Sequence, residues 1–101
     1  MPIIQFLSGG GSLFGLGVDS IDLNWTPSPS VGVIQYNIYR GTVSGGPYLL
    51  IGNAPPYNNG AVLAYVDFGV TRGATYYYVV TAYDGTSESV FSNEASATAR
   101  V

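Results

Sequence analysis

Apolar and polar residues alternate along several short segments of this chain. The alternation is clearest at residues 21–25, 34–40 and 75–83. A period of two places successive side chains on opposite faces, so these segments are predicted to be β-strands with one face in the core. The candidate core side chains are Ile21, Leu23, Trp25, Tyr36 and Ile38, together with Tyr76, Tyr78 and Val80 on one of the two apolar faces of residues 75–83.

Turn-forming residues separate these segments. Pro27 and Pro29 follow the first strand, residues 44–47 read Ser-Gly-Gly-Pro, and residues 53–60 combine prolines, asparagines and a glycine. Shorter strands are predicted at residues 48–51, 63–68 and 93–101. No segment has a helical period. Short strands with a turn signal about every 8–12 residues predict an all-β sandwich of two antiparallel sheets.

Four stretches carry a family resemblance. IDLNWTPSPS, YNIYRGTVSGGPYLLIG, RGATYYYVVTAYDG and SNEASA occur in this order and spacing, and together they resemble a fibronectin type III domain, especially its bacterial and phage forms. The resemblance implies an immunoglobulin-like β-sandwich with about seven strands in two antiparallel sheets. It also implies that Trp25 is the core tryptophan and Tyr76 the tyrosine-corner residue, with Val70 and Gly73 in the same corner.

The N-terminal residues depart from the family pattern. Residues 13–18 (LFGLGV) stand where the first strand is expected, so we assign residues 13–101 to the domain and residues 1–12 to an apolar arm with a glycine hinge. The arm residues that could contact a partner are Ile3, Ile4, Phe6 and Leu7. Two paths are open for such an arm. It either adds a strand to a neighbouring sheet or folds back as the first strand of its own domain.

Composition and charge exclude several classes of catalytic site and of binding partner. The chain has 101 residues, of which 47% are hydrophobic and 9% charged, with no histidine, cysteine or lysine. This excludes Ser-His-Asp and Cys-His pairs, a Schiff-base lysine and the usual zinc sites, so we expect no enzyme activity and no cofactor or metal. Three arginines and a net charge of −3 exclude nucleic acid as a partner and oppose attachment to a membrane.

Tyrosines on the second face of the strands are candidate contacts. Tyr39, Tyr77 and Tyr83 point away from the predicted core, and Tyr57 lies in a predicted loop. Tyrosines supply large, stiff contact area at interfaces, and they also stack on sugars. The alternative is that these side chains pair across strands and only stabilise the sheet.

The sequence thus predicts a non-catalytic binding module in one of two settings. The first is an accessory or decoration protein of a larger assembly such as a phage capsid or tail. It would contact protein, either itself or the assembly subunits, in a virion or a cytoplasmic assembly, as expected for a chain that starts with Met and shows no secretion signal. The second is a spacer or carbohydrate-contacting module of a secreted bacterial polysaccharide-degrading enzyme, which would be extracellular.

Overall fold

The structure is a computed structural model that describes residues 7–10, 20–28, 32–56 and 63–99. Within these ranges the chain forms strands β1 (Leu7–Gly10), β2 (Ile21–Trp25), β3 (Gln35–Gly41), β4 (Leu49–Ala54), β5 (Leu63–Asp67), β6 (Thr75–Tyr83) and β7 (Ala95–Thr98). No helix in the described part of the chain is long and apolar enough to cross a membrane.

The strands build two antiparallel sheets. One has the order β1-β2-β5 and the other the order β4-β3-β6-β7. In the first sheet Trp25 pairs with Leu63, and in the second Ile38 pairs with Val80. The all-β, two-sheet architecture predicted from the alternating pattern is therefore confirmed.

The hydrophobic core lies between the two sheets. The candidate core residues, together with Val70 of the tyrosine corner, are all buried: Ile21, Leu23, Trp25, Tyr36, Ile38, Val70, Tyr76, Tyr78 and Val80. The Trp25 and Tyr36 rings meet edge to face, with centroids 5.6 Å apart and planes at 62°. Burial of these large side chains removes most of the apolar surface of β2, β3 and β6 from water, which is the main favourable term in folding.

The connection from β5 to β6 is held by a tyrosine corner. The Thr71 N–H donates a hydrogen bond of 2.9 Å to the Tyr76 hydroxyl oxygen, and Val70 is buried beside it. Gly73 has a φ of +86°, a conformation that favours glycine, and its N–H donates to the Ala99 carbonyl at 2.8 Å. The corner thus fixes the turn to both the core and the chain after β7.

The first strand lies earlier in the chain than expected. Leu7–Gly10 pairs with β2, with Leu7 opposite Trp25 and Gly10 opposite Asp22. This pairing supplies partners for the backbone groups of β2 on the edge that β5 does not cover. Residues 7–10 therefore follow the path in which the segment folds back onto its own domain, and the boundary between residues 12 and 13 stays a prediction. Residues 13–18 lie outside the described residues.

A polar cluster links the two sheets at one end of the core. Asp67 on β5 is 4% exposed and accepts hydrogen bonds from the Tyr78 hydroxyl at 2.7 Å and the Gly69 N–H at 2.9 Å. Arg40 Nη1 on β3 lies 3.1 and 3.0 Å from its two carboxylate oxygens. Burial raises the pKa of the Tyr78 phenol, and the hydrogen bond to Asp67 raises it further, so this tyrosine stays protonated. The cluster is a mostly buried, hydrogen-bonded connection between the sheets.

Candidate functional site

The outer face of the four-stranded sheet, the face turned away from the other sheet, is partly covered by the chain itself. On β6, Tyr76, Tyr78, Val80 and Ala82 point into the core, so Val79 and Thr81 point outward. Both outward side chains are nevertheless almost fully buried, at 2% and 1% exposed. Other residues of the chain must therefore lie over them.

The segment that leaves β6 returns along its edge and provides this cover. The Ser89 N–H donates to the Ala82 carbonyl and the Ser92 N–H to the Val80 carbonyl, each at 2.9 Å. The two serine hydroxyl oxygens accept the N–H groups of the same two β6 residues, also at 2.9 Å. This irregular pairing satisfies the backbone of β6 and carries Val90 and Phe91 between the two paired serines.

Phe91 is the central aromatic residue of the outer face. Its ring meets Tyr39 edge to face at a centroid distance of 5.4 Å and Tyr48 at 5.3 Å, with interplanar angles of 61° and 83°. This geometry is favourable for aromatic pairs, yet Phe91 remains 51% exposed. An open groove of about 480 Å³ lies beside it, lined by Tyr39, Thr81, Glu88, Ser89, Val90 and Phe91; we call it the outer groove.

Glu88 places a carboxylate in the outer groove. Its Oε2 accepts hydrogen bonds from the hydroxyls of Tyr39 and Thr81 and from Asn37 Nδ2 at 3.2 Å. Burial raises the pKa of Glu88, but the three hydrogen bonds together hold that pKa below its usual value. Burial and the bond to Glu88 raise the pKa of Tyr39. At neutral pH the groove therefore contains an ionised carboxylate and a neutral phenol.

A second carboxylate fixes the turn after β3 over the same face. Glu94 accepts hydrogen bonds from the Gly45 N–H and the Ser44 hydroxyl, both at 2.7 Å, and from the Tyr48 hydroxyl. These bonds lower the pKa of Glu94, and the bond to Glu94 raises the pKa of Tyr48. Because Tyr48 also contacts Phe91, the turn holds the aromatic group in place.

The outer face continues towards the edge strand β4. Leu50 pairs directly with Tyr39 across β3 and β4, so the two side chains share the outer face. Leu50 is 59% exposed, and Val90, which lines the groove, is 61% exposed. Exposed apolar side chains therefore lie near the aromatic group.

The structure brings together only some of the candidate residues named from the sequence. Tyr39 pairs with Val79, and Tyr77 pairs with Gly41, two positions further along, so the two tyrosines are diagonal neighbours on the outer face. Tyr77 is half-buried, and Tyr83 is half-buried at the far end of β6 opposite Gln35. Tyr39 is engaged by Phe91 and Glu88. The outer face is thus occupied in part by contacts within the chain.

The other candidates can be placed only in part. Leu7 is the first residue of β1, and its backbone pairs within the domain. Ile3, Ile4, Phe6 and Tyr57 lie outside the described residues.

Sequence reasoning missed the residues that organise this face. Phe91, Tyr48 and Glu94 were not among the candidates. The available signal was a Val-Phe pair inside an otherwise polar stretch between two strands. Such a pair in a loop is exposed unless the loop folds onto the sheet, and that folding is not visible in a local pattern.

The strand order and the tyrosine corner define an immunoglobulin-like sandwich of fibronectin type III topology. The chain is 33% identical to a Fn3-like protein from Clostridium thermocellum, which it matches with a TM-score of 0.75 over 94% of this chain and 90% of that one. This chain therefore belongs to the fibronectin type III-like family. Domains A168–A170 of titin share the fold, with a TM-score of 0.74 at 17% identity, over 95% of this chain and 31% of that one.

A sequence relative comes from a large enzyme. The chain is 40% identical over 82 residues to an amylopullulanase from Thermoanaerobacter thermohydrosulfuricus. The match covers 80% of this chain but only 5% of that enzyme. The chain thus spans about a twentieth of the length of the relative it matches. No protein-family model matches the chain.

Proposed function

We propose that this chain is a non-catalytic accessory domain of a polysaccharide-degrading enzyme. The observation that carries the proposal is the 40% identity to a segment that makes up 5% of an amylopullulanase. A segment of that size in a large enzyme is one domain among several. This relative favours the accessory-module hypothesis of the sequence analysis over a virion component.

The chemistry of the domain supports a role without catalysis. The chain has no histidine, cysteine or lysine, and its buried carboxylate Asp67 is occupied by Arg40, Tyr78 and Gly69. The domain instead supplies a sandwich whose sheets are connected by a core and a polar cluster. Such a unit separates or orients neighbouring domains of the same polypeptide. Because a polymeric polysaccharide does not cross a cell membrane, the domain works outside the cell with its enzyme.

The size and activity of the native gene product test this proposal. An antiserum raised against this chain is used in an immunoblot of a culture of the organism that encodes it. A parallel gel of the same culture contains starch or pullulan and is stained for hydrolysis. We expect an immunoreactive band far larger than the 10.6 kDa of this chain, coincident with a zone of hydrolysis. A band at 10.6 kDa alone would overturn the proposal.

Deletion of the domain from that large polypeptide separates an accessory role from a catalytic one. The kcat for a short soluble oligosaccharide should be unchanged, because no reacting group is removed. Loss of that kcat in a deletion variant that still folds would show that the domain takes part in the chemistry.

A further inference from the structure

The outer groove combines an exposed ring with a fixed acceptor. Phe91 presents half of its surface to solvent while Tyr39 and Tyr48 hold its position. The three hydrogen bonds to Glu88 all end on Oε2, and within the described residues none ends on Oε1. The groove is open to solvent beside both groups. Both groups are held in place before any ligand arrives, which reduces the entropy lost on binding.

The chemistry of the groove selects the class of ligand. A pyranose ring has one face of C–H groups, which packs on an aromatic ring, and a rim of hydroxyls that donate to a carboxylate. The groove contains an ionised Glu88, with Glu94 on the same face, and Arg40 is engaged between the sheets by Asp67. These two carboxylates would repel a negatively charged sugar. The groove is therefore complementary to a neutral sugar.

We propose that the outer groove binds a neutral hexose polymer, with one sugar ring against Phe91 and a sugar hydroxyl donating to Glu88. This inference rests on the proposed function, because the enzyme context supplies the polysaccharide. A single exposed ring and one acceptor give weak binding, which repeated units of a polymer and attachment to the enzyme strengthen. The domain would then hold the enzyme near its substrate in addition to spacing its domains.

Affinity electrophoresis of the complete chain tests the proposal. The chain is run through native gels that contain soluble pullulan, and through gels with polygalacturonate as the charged comparison. We expect the chain to be retarded in the gels with pullulan and not in the gels with polygalacturonate. Phe91→Ala should weaken binding about tenfold, the change expected for loss of one central aromatic contact. Phe68→Ala is the matched control, because Phe68 is also an exposed phenylalanine, at 63%, but does not line the groove. This control should bind like the original chain.

Two further measurements keep the result interpretable. Phe91→Trp retains an aromatic surface and should restore binding, and thermal unfolding of each variant shows that loss of binding is not loss of the fold. Absence of retardation in pullulan, or equal weakening by Phe68→Ala and Phe91→Ala, would overturn the proposal. So would a concentration-dependent dimer that Phe91→Ala abolishes, because the face would then be a self-interface. If the chain binds no sugar but is found within a large hydrolase, the sugar-binding proposal fails and the proposed function stands, with the domain acting as a spacer.

Discussion

Replacing Asp67 with asparagine is expected to cost more stability than any single surface substitution in this domain. Asp67 is 4% exposed, and its carboxylate accepts hydrogen bonds from Arg40, the Tyr78 hydroxyl and the Gly69 N–H at distances of 2.7–3.1 Å. Asparagine keeps the shape and one acceptor oxygen, but its amide N–H groups face donors. The variant therefore leaves the Arg40 charge without its counter-ion.

The structure sets the size of the effect. Removing one partner of a buried ion pair costs about 3–5 kcal/mol. The Arg40 side chain is 26% exposed and regains some hydration, which places the expected loss at the lower end, about 3 kcal/mol. With a urea m value of about 1.5 kcal/mol/M, the midpoint falls by about 2 M. The same loss lowers the melting temperature by about 12–24 °C for a domain of this size.

Urea unfolding followed by the fluorescence of Trp25, the only tryptophan, measures this loss. Tyr78→Phe and the double variant complete a cycle, in which Asp67 and Tyr78 should show a coupling of about 1–3 kcal/mol. Tyr77→Phe is the matched control on the opposite face of β6. A loss below about 1 kcal/mol for Asp67→Asn is typical of an exposed ion pair and would refute the reasoning.

Three further changes follow from the structure. The pKa values of Glu88 and Glu94 are lower in the folded chain than in the unfolded chain, so the unfolded chain binds protons first as the pH falls. The contribution of these two residues to the free energy of unfolding is therefore complete above the usual glutamate pKa. It is lost as the pH falls through the lower pKa values of the folded chain. The urea midpoint of the original chain should therefore decrease as the pH is lowered from about 7 to about 3, and it should decrease less in Glu94→Gln. An equal decrease in the two proteins would contradict this role of Glu94. Tyr76→Phe removes the acceptor of the Thr71 N–H and should cost about 1 kcal/mol in the same titration, so unchanged stability would show that the bond contributes nothing. Deletion of residues 1–10 should lower the midpoint because β2 loses a paired neighbour, whereas an unchanged midpoint would favour a free arm.

The alternating pattern was enough to predict the core strands, because successive side chains point to opposite faces within each strand, whatever its neighbours are. Ile21, Leu23 and Trp25 recur every second residue, and a strand that buries one of them on its inner face buries all three. The tyrosine corner was implied by the family resemblance, and its hydrogen bond joins residues 71 and 76, which are close in the chain. The pairing of Leu7–Gly10 could not be decided from the sequence, because this segment has no such pattern and its pairing depends on the free edge of β2.

The sequence by itself determined most of the large side chains of the core and which catalytic residue types are missing. Both follow from side-chain type and from a period of two along the chain. Only the tertiary structure decided what the second face of the sheet presents. The segment after β6 folds back through Ser89 and Ser92, and brings Phe91 to Tyr39 and Tyr48, residues 52 and 43 positions away in the chain. Contacts between residues so distant depend on the path of the whole chain, because no local repeat relates them.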